Sequence, residues 1–272
     1  MPRLSISSWS LHRLLGKAWY DPDGKGGFVN RSKEAPQITL LDVPAEAARH
    51  GIGTVELCHF HFPSMEASYL DQLVDAFAAA DVELFSILID TGDISHHDPE
   101  SRQDDFATIR FWIDIAAEVG AEYVRIIAGD AEADDDTVQM SVDGLRELAA
   151  YASEQGVKTL TENFKALAKR PETALKIVER CEGQVGLCAD FGNFPSESRS
   201  QDLAAVLPKA NSIHAKAEYP GGEMDRESYV YNVKLAVDAG FDGPMSLIYQ
   251  DSGDVWEHLD EMRDVTVGVI NA

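Results

Sequence analysis

Apolar residues along this chain fall into two alternating rhythms. Short β-branched runs, whose successive side chains would point to opposite sides, lead into polar loops. Longer stretches follow, in which apolar positions recur every three or four residues. The short runs are LSISSW (4–9), GTVELC (53–58), VELFSILI (82–89) and EYVRIIA (122–128), then VKTLTE (157–162), QVGLCAD (184–190), NSIHAKA (211–217) and PMSLIY (244–249). The clearest helical patterns cover 68–80, 104–120, 142–156, 171–183, 228–240 and 255–270. Gly120, Gly156, Gly183 and Gly240 each stand between the end of a helix and the next strand, where a left-handed cap costs glycine least. Eight such units in 272 residues predict an α/β chain folded as a (β/α)8 TIM barrel, one domain spanning 1–272. An open doubly wound sheet usually has fewer strands, and no G-x-G-x-x-G follows the first one. The connection after the first strand, at about 10–42, breaks the pattern: it is long and rich in glycine and charge, yet holds Trp19, Tyr20 and Phe28. In a barrel it would emerge at the face where active sites lie, so it reads either as a lid or as a mobile excursion.

Three runs in the second half end on residues that ligate metals. VKTLTE closes on Glu162, QVGLCAD on Asp190, and NSIHAKA carries His214. Two carboxylates and an imidazole suit a divalent cation such as Mn²⁺, Mg²⁺, Co²⁺ or Zn²⁺. The next run would supply a fourth group, but reads MSLIYQ, with Ile248 where a carboxylate is expected. Alternation places Leu160 with Glu162, Cys188 with Asp190, Lys216 with His214, Gln250 with Ile248, and Glu56 with Cys58. A pocket built on the first three ligands would therefore also hold Lys216, Ile248 and Gln250. His59 and His61 follow in the loop after the second strand, and Arg125 lies on the fourth. The Cys58-His59-Phe60-His61 spacing matches no common structural zinc pattern.

Charge narrows the partners. Lysine and arginine total 23 against 47 acidic residues, a formal net charge of −24. Such a surface repels polyanions and anionic membranes, so a nucleic-acid partner is disfavoured, while a few local basic groups suffice for a small anionic ligand. No apolar run reaches the length of a membrane span, and the start reads as a first strand rather than a signal peptide. Cys58, Cys181 and Cys188 form no scaffold pattern; reduced thiols in a cytoplasmic protein are the simplest reading.

Taken in order, SISSWSLHR, GIGTVELCHFHFP, GAEYVRIIAGD, TENF, CADFGNF, IHAKA and GPMSLIYQDSGD resemble the xylose isomerase-like superfamily of sugar isomerases and epimerases. That barrel group also includes endonuclease IV-type enzymes. The resemblance implies a divalent metal held by residues matching Glu162, Asp190, His214 and Ile248, the last unable to ligate. It implies proton transfer next to a carbonyl between two carboxylates, of which Glu162 is one and Ile248 stands for the other. Gln250 or Asp251, or Glu56 or Glu218, are the candidates to fill that vacancy. The implied roles are Glu162 as ligand and base, and Lys216 as stabiliser of oxyanion charge or binder of a ligand anion. His59, His61, Arg125, Asn193, Gln250 and Glu56 would position substrate. The expected ligand is a small carbohydrate or sugar phosphate, with a homo-oligomer compatible with the fold. The alternative is a catalytically impaired barrel that binds a sugar-like ligand, which Ile248 favours. DNA repair is opposed by the acidic charge.

Overall fold

Each β-branched run forms a strand because it can bury both of its faces, one against helices and one inside a closed ring. The computed structural model describes residues 1–16, 20–22, 28–30 and 35–272. Its strands are β1 (Arg3–Ser7), β2 (Thr54–Cys58), β3 (Glu83–Ile89), β4 (Tyr123–Ile126), β5 (Lys158–Glu162), β6 (Val185–Asp190), β7 (Ala210–Lys216) and β8 (Pro244–Ile248). They pair in sequence order, all parallel, and β1 closes the barrel on β8 with Arg3 opposite Pro244 and Ile6 opposite Leu247. The predicted (β/α)8 barrel is the fold observed.

Val55, Leu57, Ile87, Ile89, Val124, Ile126, Leu187, Ile213 and Leu247 are fully buried and belong to the continuous apolar core. Residues of the other parity face the lumen, which is why that set includes Glu56, Arg125, Glu162, Asp190 and His214, all buried. The helices of seven residues or more are α1 (Val43–Arg49), α2 (Ala67–Ala80), α3 (Pro99–Glu118), α4 (Asp135–Glu154), α5 (Pro171–Arg180), α6 (Arg199–Val206), α7 (Arg226–Asp238) and α8 (Val255–Ile270). The glycines at 120, 156, 183 and 240 take φ values of +74°, +80°, +81° and +77°, the left-handed stop expected of them. No helix among the described residues is long and apolar enough to cross a membrane.

Two helices start earlier than their apolar periodicity suggests. α3 begins five residues before 104 because Asp98 caps it, accepting from Ser101 N–H, with Pro99 in the first turn. α4 begins seven residues before 142 through a reciprocal cap between Asp134 and Thr137. Those first turns are polar, so their signal is capping rather than hydrophobicity. Within the long connection, Tyr20–Pro22 and Phe28–Asn30 pair as a short antiparallel hairpin. Trp19 and the side chains of Tyr20 and Phe28, on which the lid reading rests, lie outside the described residues.

Candidate functional site

The lumen-facing residues at the C-terminal ends of the strands open into a cavity of about 480 Å³. Ser7, Cys58, Leu88, Arg125, Glu162, Asp190, His214, Lys216 and Ile248 reach it from all eight strands, and Asp90, Asn193 and Gln250 from the loops that follow. Trp9, Phe60 and Phe164 add aromatic surface. The lining is apolar walls with a few convergent charges, the composition of a small-molecule site.

The charges form one connected network. Arg125, almost fully buried, places Nη1 2.6 Å from Asp90 Oδ1 and Nε 3.0 Å from Glu162 Oε2, with its guanidinium 5.8 Å from the Phe164 ring centre. Asn193 donates its side-chain amide to Glu162 Oε1 at 2.9 Å, so both oxygens of that carboxylate are oriented. His214 stands at the centre. Its Nδ1 lies 3.6 Å from Glu162 Oε1 and 3.5 Å from Asp190 Oδ2, and its Nε2 lies 3.1 Å from Glu56 Oε2. Asp190 Oδ1 accepts from the Gly192 N–H at 2.6 Å, and its backbone is pinned by the buried Asn163 on both sides.

These contacts set the protonation states. Burial alone would push His214 down, but the Cys188 sulfur and the carboxylates of Glu162, Glu56 and Asp190 outweigh it and raise the group well above the ordinary histidine range. Burial would raise Asp90, yet the Arg125 guanidinium holds it below the usual carboxylate range. Asp190 is likewise held low against burial, by His214, Lys216 and the Gly192 N–H. Burial pushes the Cys188 thiol up.

The sequence-predicted residues divide in two. Glu162, Asp190, His214, Lys216, Arg125, Asn193, Gln250 and Ile248 all line the cavity. Glu56 lies below it, fully buried, in contact with His214. His59 and His61, expected beside substrate, are buried outside the cavity lining: His59 Nδ1 meets the Asp90 N–H at 3.1 Å, and His61 Nδ1 meets Ser8 Oγ at 2.8 Å. Both lie on a short 3-10 turn, His59–His61, that follows β2. Burial lowers His59 to about 4, so it is neutral at ordinary pH.

Sequence reasoning missed Asp90 and Lys165. Asp90 follows β3 with the parity of Ser86 and Leu88, so the alternation used elsewhere would have found it. Lys165 lines the rim with φ +62°, an uncommon conformation for a residue with a side chain.

The donor set can be tested against a metal. Oxygens at 3.5 and 3.6 Å from one imidazole nitrogen match the roughly 3.4 Å between donors around a tetrahedral ion with bonds of about 2.1 Å. Hydrogen bonds to Glu162 do not preclude ligation, because ligating carboxylates are commonly held this way. Ile248 contributes no donor, and among the described residues the three whose ligand atoms all lie within 4.8 Å of one another are Glu162, Cys188 and His214.

The family model described as xylose isomerase-like TIM barrel matches residues 44–260. The chain belongs to the xylose isomerase-like TIM barrel family. No curated protein matches it. Among solved structures, it is similar to a xylose isomerase-like TIM barrel protein from Mycobacterium smegmatis in complex with magnesium, at 19% identity and TM-score 0.68, covering 99% of this chain and 97% of that one. It is also similar to an L-ribulose 3-epimerase, at 15% identity and TM-score 0.73 over 100% and 95% of the two chains. A third is the 3-keto-D-glucoside 4-epimerase from E. coli, at 13% identity and TM-score 0.67 over 100% of both. At these identities the likeness is one of fold. Family membership rests on the matched model, and this member departs from the expected ligand pattern at Ile248.

Proposed function

We propose that this barrel is a metal-assisted isomerase acting on a small sugar or sugar phosphate, with Glu162 moving a proton between carbons next to the carbonyl. The observation that carries the reading is the convergence of Glu162, Asp190 and His214 on one cavity of about 480 Å³ at the C-terminal end of the strands. Glu162, Asp190 and His214 would hold the cation. Bound there, it would supply Lewis-acid polarisation of the substrate's carbonyl and neighbouring hydroxyl oxygens.

The chain's own residues do the rest. Arg125 and Asn193 fix the Glu162 carboxylate, so the base meets the carbon-bound proton in a set orientation. Lys216 has no ion-pair partner among the described residues and lines the cavity beside Ile248, its register neighbour. It is placed to stabilise an enediolate oxygen or a ligand anion. Its stem lies where a Cβ on residue 192 would be, 2.4 Å from Cδ, so glycine at that position keeps the path open. Asp90, Asn193 and Gln250 are disposed to take hydroxyls, and Trp9 and Phe164 to cover C–H faces.

Ile248 neither gives nor takes a proton. The lost carboxylate is one of two that would flank the substrate, and inverting a carbon by proton transfer needs groups on both faces. With one base, removal and return occur on the same face, which permits 1,2-isomerisation and disfavours epimerisation. The test is incubation of wild type and Glu162→Gln with a panel of aldoses and ketoses in D2O with added Mn²⁺. Deuterium incorporation or product formation by wild type and not by Glu162→Gln supports the reading. Equal behaviour of the two proteins refutes it. A second reading, a barrel that binds such a ligand without converting it, is favoured by the same Ile248. Saturable binding by calorimetry with no exchange would select it.

A further inference from the structure

The vacancy at Ile248 has a counterpart one layer deeper. Cys188 on β6 is the register neighbour of Glu162 on β5 and is almost fully buried. Glu162, Cys188 and His214 each offer one ligand atom, and these atoms all lie within 4.8 Å of one another. A zinc-type ion with bonds of about 2.3 Å to sulfur and about 2.0 Å to nitrogen and oxygen separates its donors by roughly 3.3–3.7 Å. A nitrogen–oxygen pair already stands at 3.6 Å, and Cys188 completes a set whose ligand atoms lie within 4.8 Å of one another.

A second observation points to the same ligand atom. Fully buried Glu56 places Oε2 3.1 Å from His214 Nε2. A carboxylate on one ring nitrogen fixes the tautomer and turns the other nitrogen's lone pair toward a metal. Here that other nitrogen is Nδ1, the one facing Glu162 and Asp190. Magnesium prefers near-octahedral oxygen ligands and keeps several waters, whereas the mutually close set here joins a sulfur and an imidazole to one carboxylate.

We propose that the resident cation is a thiophilic divalent ion of the zinc type, ligated by Glu162, Cys188 and His214 with Asp190 on the cavity side, so that Cys188 replaces the donor Ile248 lacks. The inference rests on the metal part of the function proposed above and sharpens it to ion and ligand.

The test is a Co²⁺ titration of the purified, metal-stripped chain followed by absorption spectroscopy. One equivalent is expected to give visible bands of tetrahedral strength and a thiolate-to-cobalt charge-transfer band in the near ultraviolet. Zn²⁺ should displace the cobalt, and excess Mg²⁺ should not. Cys188→Ser should lose the charge-transfer band and bind cobalt about tenfold or more weakly. The Cys58→Ser/Cys181→Ser double variant should keep the band, which assigns it to Cys188 even if Cys188→Ser does not fold. Cobalt bound without that band overturns the thiolate ligand while leaving a metal site standing. No cobalt bound at stoichiometric ratio overturns both.

Discussion

Replacing Arg125 with methionine removes the cation on which two carboxylates depend. The guanidinium sits 2.6 Å from Asp90 and 3.0 Å from Glu162, with side-chain exposures of 5% for Arg125 and 4% for Glu162. At an effective dielectric of about 20, each pair of charges about 4 Å apart is worth roughly 4 kcal/mol before desolvation is counted. Methionine removes the burial cost of the guanidinium but leaves Glu162 without that partner, and breaking such a buried pair costs about 3–5 kcal/mol. For 272 residues the unfolding entropy is about 0.6 kcal/mol/K, so a 4 kcal/mol loss lowers Tm by about 7 °C. The assay is urea unfolding at pH 7, followed by tryptophan fluorescence and circular dichroism. Adding Asp90→Asn should recover part of the loss, because one stranded charge is gone. Asp90 is held low in the native wild type, so Arg125 contributes stability above the ordinary carboxylate pKa and loses it as pH falls. The variant's deficit should therefore shrink toward acid. A loss below about 1 kcal/mol, or one indifferent to both Asp90→Asn and pH, would refute the reasoning.

Three further outcomes are expected. Ile248→Glu sets a carboxylate beside Lys216 and the proposed ligands, and should tighten Mn²⁺ binding about tenfold by calorimetry; unchanged affinity would show that residue 248 does not face the ion. His59 is lowered to about 4 from 6.5, so it favours the native state above 6.5 and loses that contribution as pH falls toward 4, about 3 kcal/mol in all. His214 is raised, so its contribution is fully present below 6.5 and adds no slope in that window; urea midpoints between pH 6.5 and 5 should fall for wild type and flatten for His59→Gln. Gly192→Ala would set a methyl 2.4 Å from Lys216 Cδ, displacing a flexible stem rather than the core. Stability should change by less than about 1 kcal/mol while acylation of Lys216, read by mass spectrometry, rises several-fold; unaltered reactivity would mean the stem had not moved.

The strands were legible because burial on both faces demands apolar runs, and parity then told which side chains share the lumen. That reasoning brought Glu162, Asp190, His214, Lys216 and Ile248 to one cavity. It failed at Asp90 because the strand was ended at residue 89, one short of the side chain that matters. His59 and His61 are expected from the sequence to position substrate, and the fold buries both beside the cavity lining, against Asp90 and Ser8. The early starts of α3 and α4 hide in polar caps. The Arg125–Glu162 ion pair and the Cys188–His214 proximity depend on barrel closure, and no local pattern encodes either.

Glu56 and His214 touch across the lumen although 158 residues separate them along the chain. Contacts of such span are late ones: the entropy of closing so long a loop is met only after the intervening strands have paired. The pocket is therefore absent from every partly assembled barrel, and an ion or sugar has nothing to grip until closure. Ligand in a refolding experiment should leave the folding rate unchanged and slow unfolding, because it binds an arrangement that the transition state has yet to form. A bound ion would thus act as a latch on the finished ring.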